Sequence, residues 1–166
     1  MNSYFLLVLL GAASRLIPHP MNFSPVAAMG LFCGARGSGR AGWLVPVLSL
    51  LLADLIIGGY EPVSTLFVYL GFACSGLIGR WLLRASSAMP RVAMASLCAS
   101  ALFFLLSNFG CWLAGMYAPT PAGLLECYLR AIPFLGMTVL GDLVYSVAFF
   151  SLHRRAQSAA ESLALA

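Results

Sequence analysis

The chain has no lysine. All nine of its basic residues are arginine, against five acidic residues, and charge occupies 8% of its 166 positions, where a soluble globular domain carries about 25%. That scarcity, with 61% hydrophobic residues and a mean hydropathy of +0.95, excludes an ordinary soluble fold and indicates a membrane protein. The arginines are parcelled out between apolar segments instead of clustering on one soluble face, so no nucleic-acid partner is expected and their placement reads as a topology signal. The five cysteines form no CxxC and no Cys/His zinc spacing, which excludes a zinc site or a disulfide framework and makes most of them buried reduced thiols. HExxH and GxSxG are absent, and the loop GARGSGR at 34–40 lacks the Lys-Ser/Thr end of a phosphate loop, leaving a short cytoplasmic turn. No catalytic residue, metal or cofactor is expected. Met1–Leu10 has no basic n-region and reads as the start of a first span, not as a signal peptide.

What the chain does have is six apolar runs separated by polar breaks, near 3–17, 23–35, 41–58, 63–83, 91–117 and 134–153. A helix needs about 20 residues to cross the hydrocarbon core, so the first two are short. The expected fold is all-α, a bundle of six transmembrane helices forming one domain over 1–155, with a disordered cytoplasmic tail at 156–166. GLLECYLRAIPF at 123–134 is too polar to cross and reads as a short outer-face helix, bent into the last span at Pro133. Seven of the nine arginines (36, 40, 80, 84, 91, 154 and 155) fall on one side of an even-span layout, which puts both termini inside by the positive-inside rule. Trp43 and Trp81 accompany that inner set, while Tyr60, Trp112 and Tyr117 mark the opposite ends. Gly30 and Gly34 stand at GxxxG spacing, and Gly71, Ser75 and Gly79 repeat every four residues, both patterns that let helices approach closely.

The oddest stretch is RLIPHPMNFSPVAAMGLFCG, 15–34, in which Pro18, Pro20 and Pro25 forbid a continuous helix. It predicts a polar hairpin at the outer mouth of the bundle that closes a ligand pocket. Around the outer ends collect the candidate ligand-binding residues Arg15, His19, Asn22, Asp54, Asn108, Trp112, Tyr117, Tyr128 and Arg130, with Asp142 deeper in the last span. Ionisable groups in a span are costly and face the bundle interior. Asp54 and Asp142 have two readings, ligand contacts or structural counter-ions of an arginine such as Arg15 or Arg130. Glu126 and Arg130, four apart with the acid first, read as a helix-surface pair. His19, held between two prolines, reads as a ligand or proton contact or as a plain loop residue. Asn108 and Trp112 should share one inward face of the fifth span.

The segments IPHPMNFSPVAAMGLF, LLADLIIG, SNFGCWLAGMY and GLLECYLRAIPF, with the Gly-Asp at 141–142, resemble a family of small six-span bacterial membrane proteins of unassigned function, usually labelled as transport proteins. More distantly the layout is similar to the substrate-binding components of energy-coupling factor vitamin transporters, which have six helices and an outward pocket roofed by the loop between spans 1 and 2. That resemblance implies a solute-binding component of the plasma (inner) membrane, its partners a small-molecule solute, the lipid bilayer and an energising module. Such components dock through small residues at four-residue spacing in span 1, where this chain offers the cluster Gly11, Ala12, Ala13 and Ser14, so a solitary carrier stays open as well. The competing readings are a non-catalytic membrane scaffold and, less favoured, a membrane enzyme using Asp54, Asp142 or His19 as acid or base.

Overall fold

The computed structural model describes residues 3–18, 20–37, 41–58 and 61–164, so the readings made for His19, Arg40 and Tyr60 lie outside the described residues. Among those described there are six helices and no strand: α1 (Ser3–Leu16), α2 (Val26–Arg36), α3 (Ala41–Ile57), α4 (Pro62–Leu83), α5 (Met89–Leu113) and α6 (Pro121–Ala164). The chain is all-α, and α4, α5 and α6 are long and apolar enough to cross a membrane. The apolar helices α1, α2 and α3 are shorter, at 14, 11 and 17 residues.

Local chemistry sets the start of α4. Glu61 caps α4, its carboxylate accepting from Ser64 N at 2.6 Å and Val63 N at 3.0 Å, with Pro62 in the first turn where a missing N–H costs nothing. These two amides, Ser64 foremost, hold the Glu61 carboxyl below its ordinary range. Between α1 and α2 the chain reverses through Asn22 at φ 64°, a left-handed conformation that asparagine tolerates better than most residues.

Two expectations about α6 need correction. The outer-face helix and the last span are one helix of 44 residues that continues through Pro133. A proline inside a helix costs about 3 kcal/mol. Here both halves are fastened to α5, by Tyr128 Oη donating to Leu105 O at 2.8 Å on one side and Ser100 Oγ donating to Asp142 Oδ2 at 2.6 Å on the other. The expected irregular tail is likewise helical as far as Ala164, because AQSAAESLA is rich in good helix formers and extends a helix that has already paid for its nucleus. The cysteines are all free, but Cys33 and Cys127 alone are buried, Cys74 and Cys111 are half-buried and Cys98 is exposed.

The shortest helix is the centre of the bundle. α2 packs against all five others, while the rest form an arc, α1 on α3, α3 on α4, α4 on α5 and α5 on α6, whose two ends do not meet through their backbones. Glycine makes this possible. A Cβ at Gly34 would strike the carbonyl of Gly76, one at Gly79 the backbone of Leu31, and one at Gly76 the carbonyl of Gly42, so α2, α3 and α4 touch backbone to backbone. Pro46 has no N–H to bond the Gly42 carbonyl one turn earlier, and that freed oxygen is the one lying against Gly76. The interior is otherwise made of Ala, Ser and a few large residues: Leu31, Leu83, Val92 and Phe150 form one cluster with Ala35, Ala95 and Ala99, and Met29, Cys33 and Val45 a second. Large apolar side chains face outward instead, among them Leu55, Ile56, Trp81 and Leu152. Small and hydroxylated residues inside with hydrocarbon outside is the arrangement expected of a bundle solvated by lipid.

Candidate functional site

Three ionisable or amide groups from separate elements meet at one end of this bundle. A cavity of about 310 Å³ is lined by Arg15 from α1, Asn22 and Ser24 from the hairpin, Leu50 and Ile57 from α3, Val68 and Phe72 from α4, Phe103 from α5, and Thr138 and Asp142 from α6. A second cavity of about 180 Å³ shares Asn22, Val68, Phe103 and Thr138 and adds Asn108. The hairpin is seated on α6. Phe23 lies against Gly141, where a Cβ would come within 3.2 Å of the Phe23 Cα, and its ring packs on Tyr145 with centroids 5.3 Å apart. Gly141 is thus the notch that brings Asn22 and Ser24 beside Asp142.

Electrostatically the wall has two parts. Arg15 Nη2 lies 3.0 Å from Asp54 Oδ1, with the two side chains 20% and 14% exposed, and Tyr69 Oη donates to Asp54 Oδ2 at 2.8 Å. This ties α1, α3 and α4 together and matches the counter-ion reading of Asp54, while leaving Arg15 on the cavity surface. Asp142 is 3% exposed and, among the described residues, has no cation partner; its bond is to the Ser100 hydroxyl. The expected alternative of an Asp142–Arg130 pair is overturned, since Arg130 pairs with Glu126 at 2.8 Å on the exposed face of α6. That exposed i,i+4 pair is the surface pair its spacing predicts, worth about 0.3–0.5 kcal/mol. The apolar wall is aromatic, with the Phe72 and Phe103 rings 4.5 Å apart at their centroids.

The remaining candidates stand elsewhere. Trp112 does not share the cavity face with Asn108; its indole N–H donates to Ala118 O at 2.9 Å and holds the loop after α5. Tyr128 fastens α6 to α5 through Leu105, and neither it, Tyr117 nor Arg130 lines the two cavities described. Asn108 reaches the smaller cavity while its amide donates to Phe104 O one turn back at 2.8 Å. His19 lies outside the described residues. Sequence reasoning missed Ser24, Thr138, Phe72, Phe103 and the partners Ser100 and Tyr69. One signal was available for Thr138: it precedes Asp142 by four residues and therefore shares its helix face.

No curated protein and no solved structure matches the chain. A family model described as a family of unknown function (DUF6580) does match it over residues 1–163. With all but three of the 166 residues covered, the chain belongs to this family.

Proposed function

We propose that this protein is a membrane carrier, or the substrate-binding component of one, that takes up a small micronutrient-sized solute through the cavity beneath the hairpin at 20–25. The observation that carries the reading is the cavity itself. At about 310 Å³, mainly apolar, with Phe72 and Phe103 on one wall and a few polar groups converging from α1, the hairpin and α6, it has the size and chemistry of a small-molecule site. A scaffold would have no use for such a space, and a polar hairpin seated over it suits an entrance.

The topology in this reading is six spans with both termini inside. Its support is the seven-to-two division of the arginines and a contact at the end opposite the cavity, where Arg36 at the C-terminal end of α2 donates to Ser87 in the turn before α5, so two of the arginine-bearing segments share one face. The likeness to substrate-binding components of energy-coupling factor transporters belongs to this proposal and rests on the helix count and on the loop between α1 and α2 lying over the cavity.

The test is to purify the protein in mild detergent, identify the co-purifying solute by mass spectrometry and titrate it back by calorimetry. Asn22→Gly, which keeps the left-handed backbone, and Thr138→Val should each weaken binding about tenfold, the effect of losing one hydrogen bond worth roughly 1.4 kcal/mol. Trp112→Phe, away from the cavity, should leave affinity unchanged. Absence of any bound solute, or parental affinity in both cavity variants, refutes the reading.

A further inference from the structure

Below the cavity, the α5–α6 seam carries two buried hydroxyls that no group among the described residues satisfies, next to a buried carboxylate. Asp142 and Ser100 meet at 2.6 Å. One turn further along each helix, in the same direction because the two run antiparallel, come Ser96 and Ser146. Both are 0% exposed, and the hydroxyl oxygens of both are buried with no hydrogen-bond partner among the described residues. Every other serine hydroxyl of α5 has a partner: Ser100 Oγ also approaches the Ser96 carbonyl at 3.0 Å, and Ser107 Oγ bonds the Phe103 carbonyl at 2.7 Å. Such back-bonding to the preceding turn is the ordinary way a span disposes of a hydroxyl. The two exceptions therefore stand one turn from a buried carboxylate that lacks a counter-ion.

We propose that Asp142, Ser100, Ser96 and Ser146 form a binding site for a dehydrated alkali-metal cation, sodium or potassium, between α5 and α6. Charge and hydrogen bonding decide the ligand class together. A buried water would satisfy the hydroxyls but leave the carboxylate unbalanced. A proton on Asp142 would balance the charge but leave the two hydroxyls orphaned unless a buried water joined it, an arrangement that acidification would stabilise and sodium or potassium would not. One small monovalent cation does both, because hard cations take oxygen ligands and a carboxylate supplies the single negative charge. Arg15, among the described residues the one cation lining the cavity above, is engaged by Asp54 and does not compete. Asp142 lines the cavity as well as the seam, so a cation held there lies directly under the solute space, where an ion gradient can drive uptake without a separate energising subunit.

The experiment needs no knowledge of the solute, so its outcome is independent of the uptake reading. The full chain in detergent is melted in sodium, potassium or choline chloride at equal ionic strength. A saturable rise in Tm with sodium or potassium, absent with choline, is expected from mass action on a folded-state site. Ser146→Ala and Ser96→Ala should each shift the half-saturating concentration upward about tenfold or more, and Asp142→Asn should abolish the response. Ser146→Ala discriminates even if Asp142→Asn fails to fold: removing an orphaned hydroxyl should leave the protein in choline at least as stable as the parent, and lose only the response to the ion. Equal stabilisation by choline, a full alkali-ion response in both serine variants, a response retained by Asp142→Asn, or its reproduction by acidification alone overturns the site.

Discussion

Replacing Gly79 with alanine tests the central claim that α2 and α4 touch backbone to backbone. The added Cβ would stand 2.7 Å from both the Cα and the carbonyl carbon of Leu31, against an ordinary carbon–carbon separation of about 3.5–4.0 Å. Neither partner is a side chain that can swing away, so the helices must part by roughly 1 Å. A gap of that size forfeits about a quarter to a half of each contact's 0.1–0.2 kcal/mol. Over about 50 atom pairs, comparable to the contacts of one buried leucine, the loss is roughly 1–5 kcal/mol, a range that contains the usual cost of overpacking. Lipid returns none of this through a hydrophobic drive, since it is as apolar as the helix surface. Gly136→Ala is the matched control. It is helical with nothing within 4 Å of its Cβ, and alanine's better propensity should leave stability unchanged or raise it by up to about 1 kcal/mol. Unfolding by sodium dodecyl sulfate in mixed micelles, followed by tryptophan fluorescence, reads both. If Gly79→Ala unfolds within about 0.5 kcal/mol of the parent, or Gly136→Ala falls as far as Gly79→Ala, close helix contact is not what holds the bundle.

In a double-mutant cycle, Arg15→Gln and Asp54→Asn should each cost about 2 kcal/mol, below the 3–5 of a fully buried pair because the side chains are 20% and 14% exposed, with a coupling of about 1–2 kcal/mol; zero coupling would mean the pair contributes nothing. The Glu61 carboxyl is lowered from its ordinary 4.5 by the Ser64 and Val63 amides, so its contribution to stability is complete above that value and lost as pH falls through the lower folded one. Acid titration of the melting temperature should accordingly lose part of its low-pH slope in Glu61→Gln, and an unchanged slope would assign the acid sensitivity to another group.

The helices were legible because this chain punctuates them with prolines, glycines and arginines, and α1 to α5 begin and end within a few residues of where those signals stand. α6 was misread where a local rule lost to tertiary contacts: Pro133 weakens a helix, but bonds from Tyr128 and Ser100 fasten the residues on either side of it to α5, and one helix continues through. In the candidate site, Asn22 and Asp142 announced themselves as polar groups in apolar surroundings. Thr138 and Ser24 did not, since nothing in the letters marks a hydroxyl that lines a cavity: Thr138 bonds the Phe134 carbonyl one turn back just as Ser107 in the preceding helix bonds that of Phe103. Trp112 misled for a related reason. Its spacing from Asn108 fixed a helix face, but the indole is long enough to leave that face for the Ala118 carbonyl.

The central helix carries a consequence for how the protein is made. α2 has 11 residues, which at 1.5 Å each make roughly 16 Å, about half the thickness of a bilayer's hydrocarbon core. Eight of them are buried, so in the finished molecule its surface belongs to its neighbours. When this segment leaves the ribosome, those neighbours, α3, α4, α5 and α6, have not been synthesised. Lipid alone has no grip on so short a segment, and its seat is built from residues translated after it. α2 is therefore translated before the helices that settle it, and the hairpin that precedes it reaches Gly141 only when α6 has arrived.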